Sequence, residues 1–215
     1  MPWIVGVSGA SGTPYAAAVL RALLAAGESV DLVVSRASRL TLLDETGIAF
    51  RDSQWEADLR EWLSRGADGK PDTFDVDIAG VRHWSAGDLA AGPSSGSYAT
   101  KGMLIVPAST AAVAGVALGL SKDLLQRAAS VTLKEGRKLV VAVRETPLNG
   151  QTLRHLVTLD DLGATVVPAS PAFYAGATHI QDLVDFVAGR VLDVAGVEHR
   201  LYRRWKGDLG GARTT

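Results

Sequence analysis

A chain of 215 residues, 47% of them hydrophobic, has enough apolar surface for one sizeable core and is short for two full domains. Its net charge of −1 gives it no field that would gather nucleic acid or an acidic membrane. It contains no cysteine, which excludes disulfides, thiolate metal sites and a cysteine nucleophile.

The opening MPWIVGVSGASG has no basic segment followed by a long apolar run, and no apolar stretch reaches the roughly 20 residues that a membrane helix needs. A cytoplasmic protein without a membrane segment is expected. Residues 3–7 read as a strand buried on both faces, and 8–13 as a glycine-serine turn. A helix follows, with Thr13 as its N-cap, Pro14 at the first helical position, and Val19, Leu20, Leu23 and Leu24 on one face. Residues 29–35 predict a second strand and 37–45 a helix. Trp55, Leu59 and Trp62 fall at helical spacing within 53–64, and 66–77 reads as a surface loop. A short strand at 81–84 and a second glycine-serine loop, AGPSSGSYA at 91–99, precede a strand at 103–106. Helices at 109–119 and 123–136, a strand at 138–143, a helix at 150–162, a strand at 164–167 and an amphipathic helix at 180–195 complete the pattern.

Strands separated by helices predict a single α/β domain: a doubly wound, Rossmann-like parallel sheet flanked by helices, over 1–196, with a polar tail at 197–215. Ligands of such sheets sit beyond the carboxyl ends of the strands. The unusual residues fall there: the serines of 8–11, Ser35, the stretch 107–110, Arg144 with Glu145, and Phe173 with Tyr174.

GVSGASG, with Gly9, Ala10 and Ser11 at its centre, lets the backbone approach a ligand, and the helix start behind it favours an anion. Its glycine spacing is not GxGxxG, and two serines suit a flavin phosphate or ring edge better than a pyrophosphate. The alternative is an ordinary tight turn. Arg127 and Lys134, seven apart, project from one helix face, and with Arg144 they make three cations able to converge on a phosphate. A solvated basic face is the competing reading. Glu145 beside cations is a candidate acid/base or half of a salt bridge. Tyr174 can donate to a phosphate or simply pack, and Trp84 is either core or a flat surface over a ring. The four histidines have no metal-ligand spacing, and Asp160-Asp161 is not an aspartate-rich diphosphate motif, so no metal is expected.

These blocks, above all LLQRAASVTLKEGRKLVVAVRETPL at 124–148 and LGATVVPASPAFY at 162–174, resemble the flavin prenyltransferases (UbiX type) of the flavin-dependent cysteine decarboxylase superfamily. The resemblance covers most of the chain and excludes 50–80. It implies a metal-independent transferase that joins a dimethylallyl group from dimethylallyl phosphate to N5 and C6 of reduced FMN. The product, prenylated FMN, would serve a UbiD-type decarboxylase. A homo-oligomer, a dodecamer with sites at subunit interfaces, is implied as well. By the same resemblance Ser95, Gly96, Ser97, Arg127, Lys134, Arg144, Glu145 and Tyr174 would hold the donor phosphate. Trp84 would face the allyl cation. Ser11 would lie by the flavin ring, linked to Glu45 in proton handling. Gly9, Ala10, Ser35, Ser109, Thr110 and Arg144 would hold the rest of the flavin, and Trp205 would close over the site. Ala108 stands where such chains usually carry cysteine, and Lys122-Asp123 replaces a common Asp-Asn or Asn-Asn, which weakens flavin contacts at that turn. Two alternatives stand beside this reading. A flavin-dependent cysteine decarboxylase would want a histidine after the first helix, and no histidine precedes His83. A flavin-binding subunit without activity would have no use for a second phosphate cradle.

Overall fold

The computed structural model describes residues 1–205 and 207. Six strands form one parallel sheet: β1 (Trp3–Val7), β2 (Val30–Val34), β3 (Val81–Ser85), β4 (Gly102–Ala108), β5 (Lys138–Val143) and β6 (Thr165–Pro168). They lie in the order β3-β2-β1-β4-β5-β6. The order reverses between β1 and β4, where Val5 pairs Leu32 on one side and Leu104 on the other. The crevice at that reversal is where such sheets bind ligands.

Among the described residues seven α-helices accompany the sheet: α1 (Thr13–Ala25), α2 (Arg36–Thr46), α3 (Trp55–Leu63), α4 (Thr110–Ala117), α5 (Leu124–Lys134), α6 (Gly150–Asp161) and, after the last strand, α7 (Ile180–Ala195). The strands β1, β2 and β4 are buried throughout because helices cover both faces. One face packs Leu20 and Leu23 of α1, Trp62 of α3 and Val191 of α7 against the sheet. The other packs Val113 of α4 and Leu125 of α5. The edge strands β3 and β6, each with a neighbour on one side only, are only partly buried. No described helix is long and apolar enough to cross a membrane.

The first helix starts differently from the sequence expectation. Its N-cap is Gly12, at φ 108°, and Thr13 is the first helical residue. The Thr13 hydroxyl is drawn away from a capping role because it donates to Glu45 Oε2 at 2.6 Å. The segment between α2 and β3, for which no correspondence was claimed, is built into the fold. Arg21 of α1 donates to the carbonyls of Leu63 and Arg65, each at 3.2 Å, and lies 3.9 Å from the centre of the Phe74 ring.

Candidate active site

The switch between β1 and β4 is fastened by one of the serines of the first turn. Ser8, 2% exposed, donates its hydroxyl to the Pro107 carbonyl at 2.8 Å. The same oxygen accepts from the Ser109 amide at 2.7 Å. The two strand-end loops therefore move as one unit. Above them lies a cavity of about 220 Å³ lined by Ser8, Gly9, Ser35, Arg36, Ser109 and Asp123, among others. Gly9 is required by its shape: a Cβ there would come 2.5 Å from the Cβ of Ala37.

Three helices, α2, α4 and α5, begin at this cavity. Ser35 caps α2, accepting from the Ser38 amide at 3.1 Å, and Ser109 caps α4, accepting from Ala112. Both serines thus serve their own helices while lining the crevice. The positive ends of α2 and α4, with Arg36, favour an anion. The start of α1 does not, contrary to expectation. Glu45 Oε1 accepts from the Gly12 amide and Oε2 from the Thr13 amide, each at 2.8 Å. Pro14 has no N–H, and the Tyr15 amide goes back to the Gly12 carbonyl. The protein's own carboxylate already occupies the anion position there. Ser11 is exposed beside this cap, and its carbonyl accepts from Arg144 Nε at 3.1 Å. Tyr15 lies against Gly12, and burial pushes its phenol above the ordinary value, with Arg144 lowering it and Glu45 raising it.

The Lys122-Asp123 departure has a structural outcome. Asp123 lines the cavity but turns Oδ1 to the Gln126 amide at 2.9 Å as the cap of α5. Ala108 is fully buried in β4, where its small side chain fits.

The second set of predicted residues gathers on α5. The loop holding Ser95, Gly96 and Ser97 is strapped to that helix by arginines: Arg127 Nε donates to the Ser94 carbonyl at 3.0 Å, and Arg137 to the carbonyls of Gly96 at 2.6 Å and Tyr98 at 2.9 Å. The hydroxyls of Ser95 and Ser97 lie 3.0 Å apart and are exposed. Lys134 pairs with Glu135, and a Cβ on Gly96 would strike both. That lysine holds the Glu135 carboxyl below its ordinary range. Trp84 belongs to this set. Its indole N–H donates to Asp31 Oδ1 at 3.0 Å, and the Tyr98 hydroxyl donates to Oδ2 at 2.9 Å. Asp31 is 2% exposed, so this bracing is firm; burial, then Asp31 itself, pushes the Tyr98 phenol upward. Arg137, Tyr98 and Asp31 were not foreseen, because none of them sits in a recognisable spacing.

Arg144 and Glu145 follow the carboxyl end of β5, and Tyr174 follows that of β6, with Trp205 against it. Glu145 is exposed and accepts from the Thr146 amide at 3.0 Å. Tyr174 meets Trp205 edge-on at 5.9 Å and Phe186 edge-on at 5.7 Å. The remainder of the tail, 206 and 208–215, lies outside the described residues.

Within one chain Lys134 and Arg144 are held apart: α5 ends at Lys134 before β5 and Arg144 follows it, and six strand residues span about 20 Å. Trp84 lies on β3 and Tyr174 beyond β6, opposite edges of a sheet whose five inter-strand steps cover about 24 Å. Arg127 and Lys134 share one set with Ser95–Ser97; Arg144 belongs to another. Among the described residues no group of three or more histidine or acidic side chains is placed to hold a metal ion.

A parallel sheet in this order, with its cavity at the switch point, defines a flavoprotein-type domain, and the chain matches the Flavoprotein family over residues 1–192. It is 90% identical, across the whole of both chains, to the flavin prenyltransferase UbiX of Streptomyces coelicolor. Its structure is similar, with a TM-score of 0.80 and 32% identity, to the crystal structure of AnUbiX (PadA1) in complex with FMN and dimethylallyl pyrophosphate, covering 96% of this chain and 97% of that one. It is equally similar, with a TM-score of 0.80 and 36% identity, to a dodecameric FMN-dependent UbiX-like decarboxylase from Escherichia coli O157:H7, covering 96% of this chain and all of the other. The chain belongs to the UbiX family of flavin prenyltransferases.

Proposed function

We propose that this protein transfers a dimethylallyl group from dimethylallyl phosphate to N5 and C6 of reduced FMN, in the cytoplasm, and that the prenylated FMN passes to a UbiD-type decarboxylase. The observation that carries this reading is the presence, in a chain of this family, of two separate anion-holding sets. One is the serine cavity at the strand switch; the other is the Ser95–Ser97 cradle with Arg127 and Lys134. A flavin carrier without chemistry needs only the first.

The cavity suits the phosphate end of FMN: serine hydroxyls, two helix starts and Arg36 complement an anion, and Gly9 leaves room for the backbone to approach it. At about 220 Å³ it is smaller than the roughly 300–1,000 Å³ that encloses a whole ligand, which leaves the flavin ring to the loop of Ser11 and Arg144 and to a neighbouring surface. Bound reduced FMN supplies the nucleophilic ring positions. The chain's own groups supply the rest. As the allylic C–O bond breaks, the departing phosphate gains charge, and Arg127, Lys134 and the serine hydroxyls stabilise it. Trp84, held by Asp31, offers a fixed π-face to the allyl cation. Glu145, exposed at the end of β5, takes up the proton released at the flavin ring.

Because Lys134 precedes β5 and Arg144 with Glu145 follows it, about 20 Å apart along the sheet, we infer that a complete site joins the cradle of one copy to the acid and phenol of another. A dodecamer satisfies this. The test is anaerobic incubation with reduced FMN and dimethylallyl phosphate, followed by mass spectrometry of the released flavin. One added isoprene unit, lost in Glu145→Gln with flavin binding kept, is expected. Unmodified flavin with both the monophosphate and the diphosphate donor overturns the reading in favour of a carrier subunit. Co-refolded Lys134→Ala and Glu145→Gln chains, each inactive alone, are expected to recover about a quarter of the activity if sites are shared between copies at random.

A further inference from the structure

An aspartate in the last turn of α7 is in the wrong place for its helix: negative charge there opposes the helix dipole. Asp193 is held instead by four donors. Oδ1 accepts from His199 Nε2 at 3.0 Å and from Arg204 at 2.7 Å. Oδ2 accepts from Arg190 at 2.8 Å and from the Tyr202 hydroxyl. Three of the four come from the segment after the helix. The backbone amide of Leu201 donates to His199 Nδ1 at 3.2 Å, so Nε2 carries the proton that Asp193 receives.

A second observation is independent of charge. Gly189 stands mid-helix in α7, where glycine is a poorer helix former than alanine. A Cβ there would come 2.5 Å from the Tyr202 ring and 2.7 Å from His199. The helix is therefore cut away at the place where the tail is seated. From that seat the chain runs on to Trp205, edge-on to Tyr174, which in turn rests on Phe186; Phe186 lies 4.9 Å from Tyr202.

We propose that Asp193 is the positioning residue of the donor site, strapping the C-terminal segment onto Gly189 so that Trp205 is held against Tyr174. This rests on the prenyltransferase reading for its consequence, though not for its geometry. Asp193 touches neither donor nor flavin; it acts through Tyr202, Trp205 and Tyr174.

The test uses the full-length protein with Asp193→Asn, Asp193→Glu and Gly189→Ala. Two readouts need no turnover: the rate of trypsin cleavage after Arg203 and Arg204, and FMN binding. Asp193→Asn and Gly189→Ala are expected to speed cleavage about tenfold, the factor that losing one charge-assisted hydrogen bond gives. FMN binding stays at its wild-type value. The KM for dimethylallyl phosphate rises more than kcat falls, and Asp193→Glu recovers part of both effects. Gly189→Ala is the sharper variant, since alanine strengthens an isolated helix and can weaken the tail only through the seat. Wild-type cleavage rates and donor KM in both Asp193→Asn and Gly189→Ala overturn the proposal. Should the wild-type protein form no product, the prenyltransferase reading falls, while the cleavage and FMN results still decide whether Asp193 holds the tail.

Discussion

Glu45, in the last turn of α2, accepts both the amide and the hydroxyl of Thr13, the first residue of α1. With the Gly12 amide this makes three bonds to one carboxylate, contributed by an element 32 residues away in sequence. The cap therefore fixes the loop of Gly9 and Ser11 relative to α2, whose start lines the serine cavity.

Glu45→Ala leaves the Gly12 and Thr13 amides without that partner at a half-buried helix end. A loss of about 1–3 kcal/mol is expected, within the range for a cap or a hydrogen bond to a charged group. Urea unfolding measures it. Gly69→Ala attacks the same cap from behind: Gly69 sits at φ 75°, and a Cβ would come 2.4 Å from the Glu45 carbonyl. Destabilisation of Gly69→Ala together with weaker FMN binding would tie the 50–80 segment to the site; unchanged FMN binding would leave it a purely structural appendage.

The strand and helix order was legible because each buried strand is a short apolar run between turn residues, as in residues 3–7 and 138–143, and because α7 keeps its apolar face in register. The edge strand β3 was harder to read: its HW pair looks like neither core nor surface, and is explained only by Asp31 and by the rings of Phe50 and Trp55. Site residues carried by local motifs, Gly9, Ser35 and Ser109, could be picked from the chain. The tie that Ser8 makes could not be read from it, because its partners are about a hundred residues away. Nor could Asp193, whose four donors have no regular spacing. Spacing alone left open whether Lys134 and Arg144 meet within one chain, because helical phase says nothing about which end of a strand a residue occupies.

Gly9→Ala is expected to abolish or strongly weaken FMN binding, because the new methyl overlaps the Ala37 Cβ at the cavity wall. Ala37→Gly removes that methyl. The double variant should therefore recover binding that the single variant loses, as flavin fluorescence quenching can report. Failure of the second change to rescue the first would mean that the glycine is needed for ligand approach rather than for its contact with α2.

Ser8→Ala removes the one oxygen that joins the Pro107 carbonyl to the Ser109 amide. Buried groups left unpaired cost about 1–3 kcal/mol. A lowered urea midpoint is expected together with a raised FMN dissociation constant, since both strand-end loops line the cavity. Ser8→Thr, which keeps the hydroxyl, separates loss of the hydrogen bonds from loss of space.

His83 gives the fold a pH dependence that the chemistry does not need. Its ring lies 5.8 Å from Trp55, nearly parallel, and 5.4 Å from Phe50, with Nε2 3.5 Å from Asp52. Burial pushes its pKa below the ordinary 6.5; Asp52 pulls upward and Arg39 pushes further down. The folded chain thus binds the proton less readily than the unfolded one. The stability that neutral His83 contributes is present in full above 6.5 and falls as the pH drops from 6.5 toward the lowered folded value. Urea midpoints measured from about pH 8 to about pH 5 should decline in the wild type below 6.5. His83→Phe keeps an aromatic ring against Trp55 and removes the titration, so its decline should be shallower across that window. An equal decline in both proteins would assign the pH dependence to the carboxylates and leave His83 a neutral packing group at every pH tested.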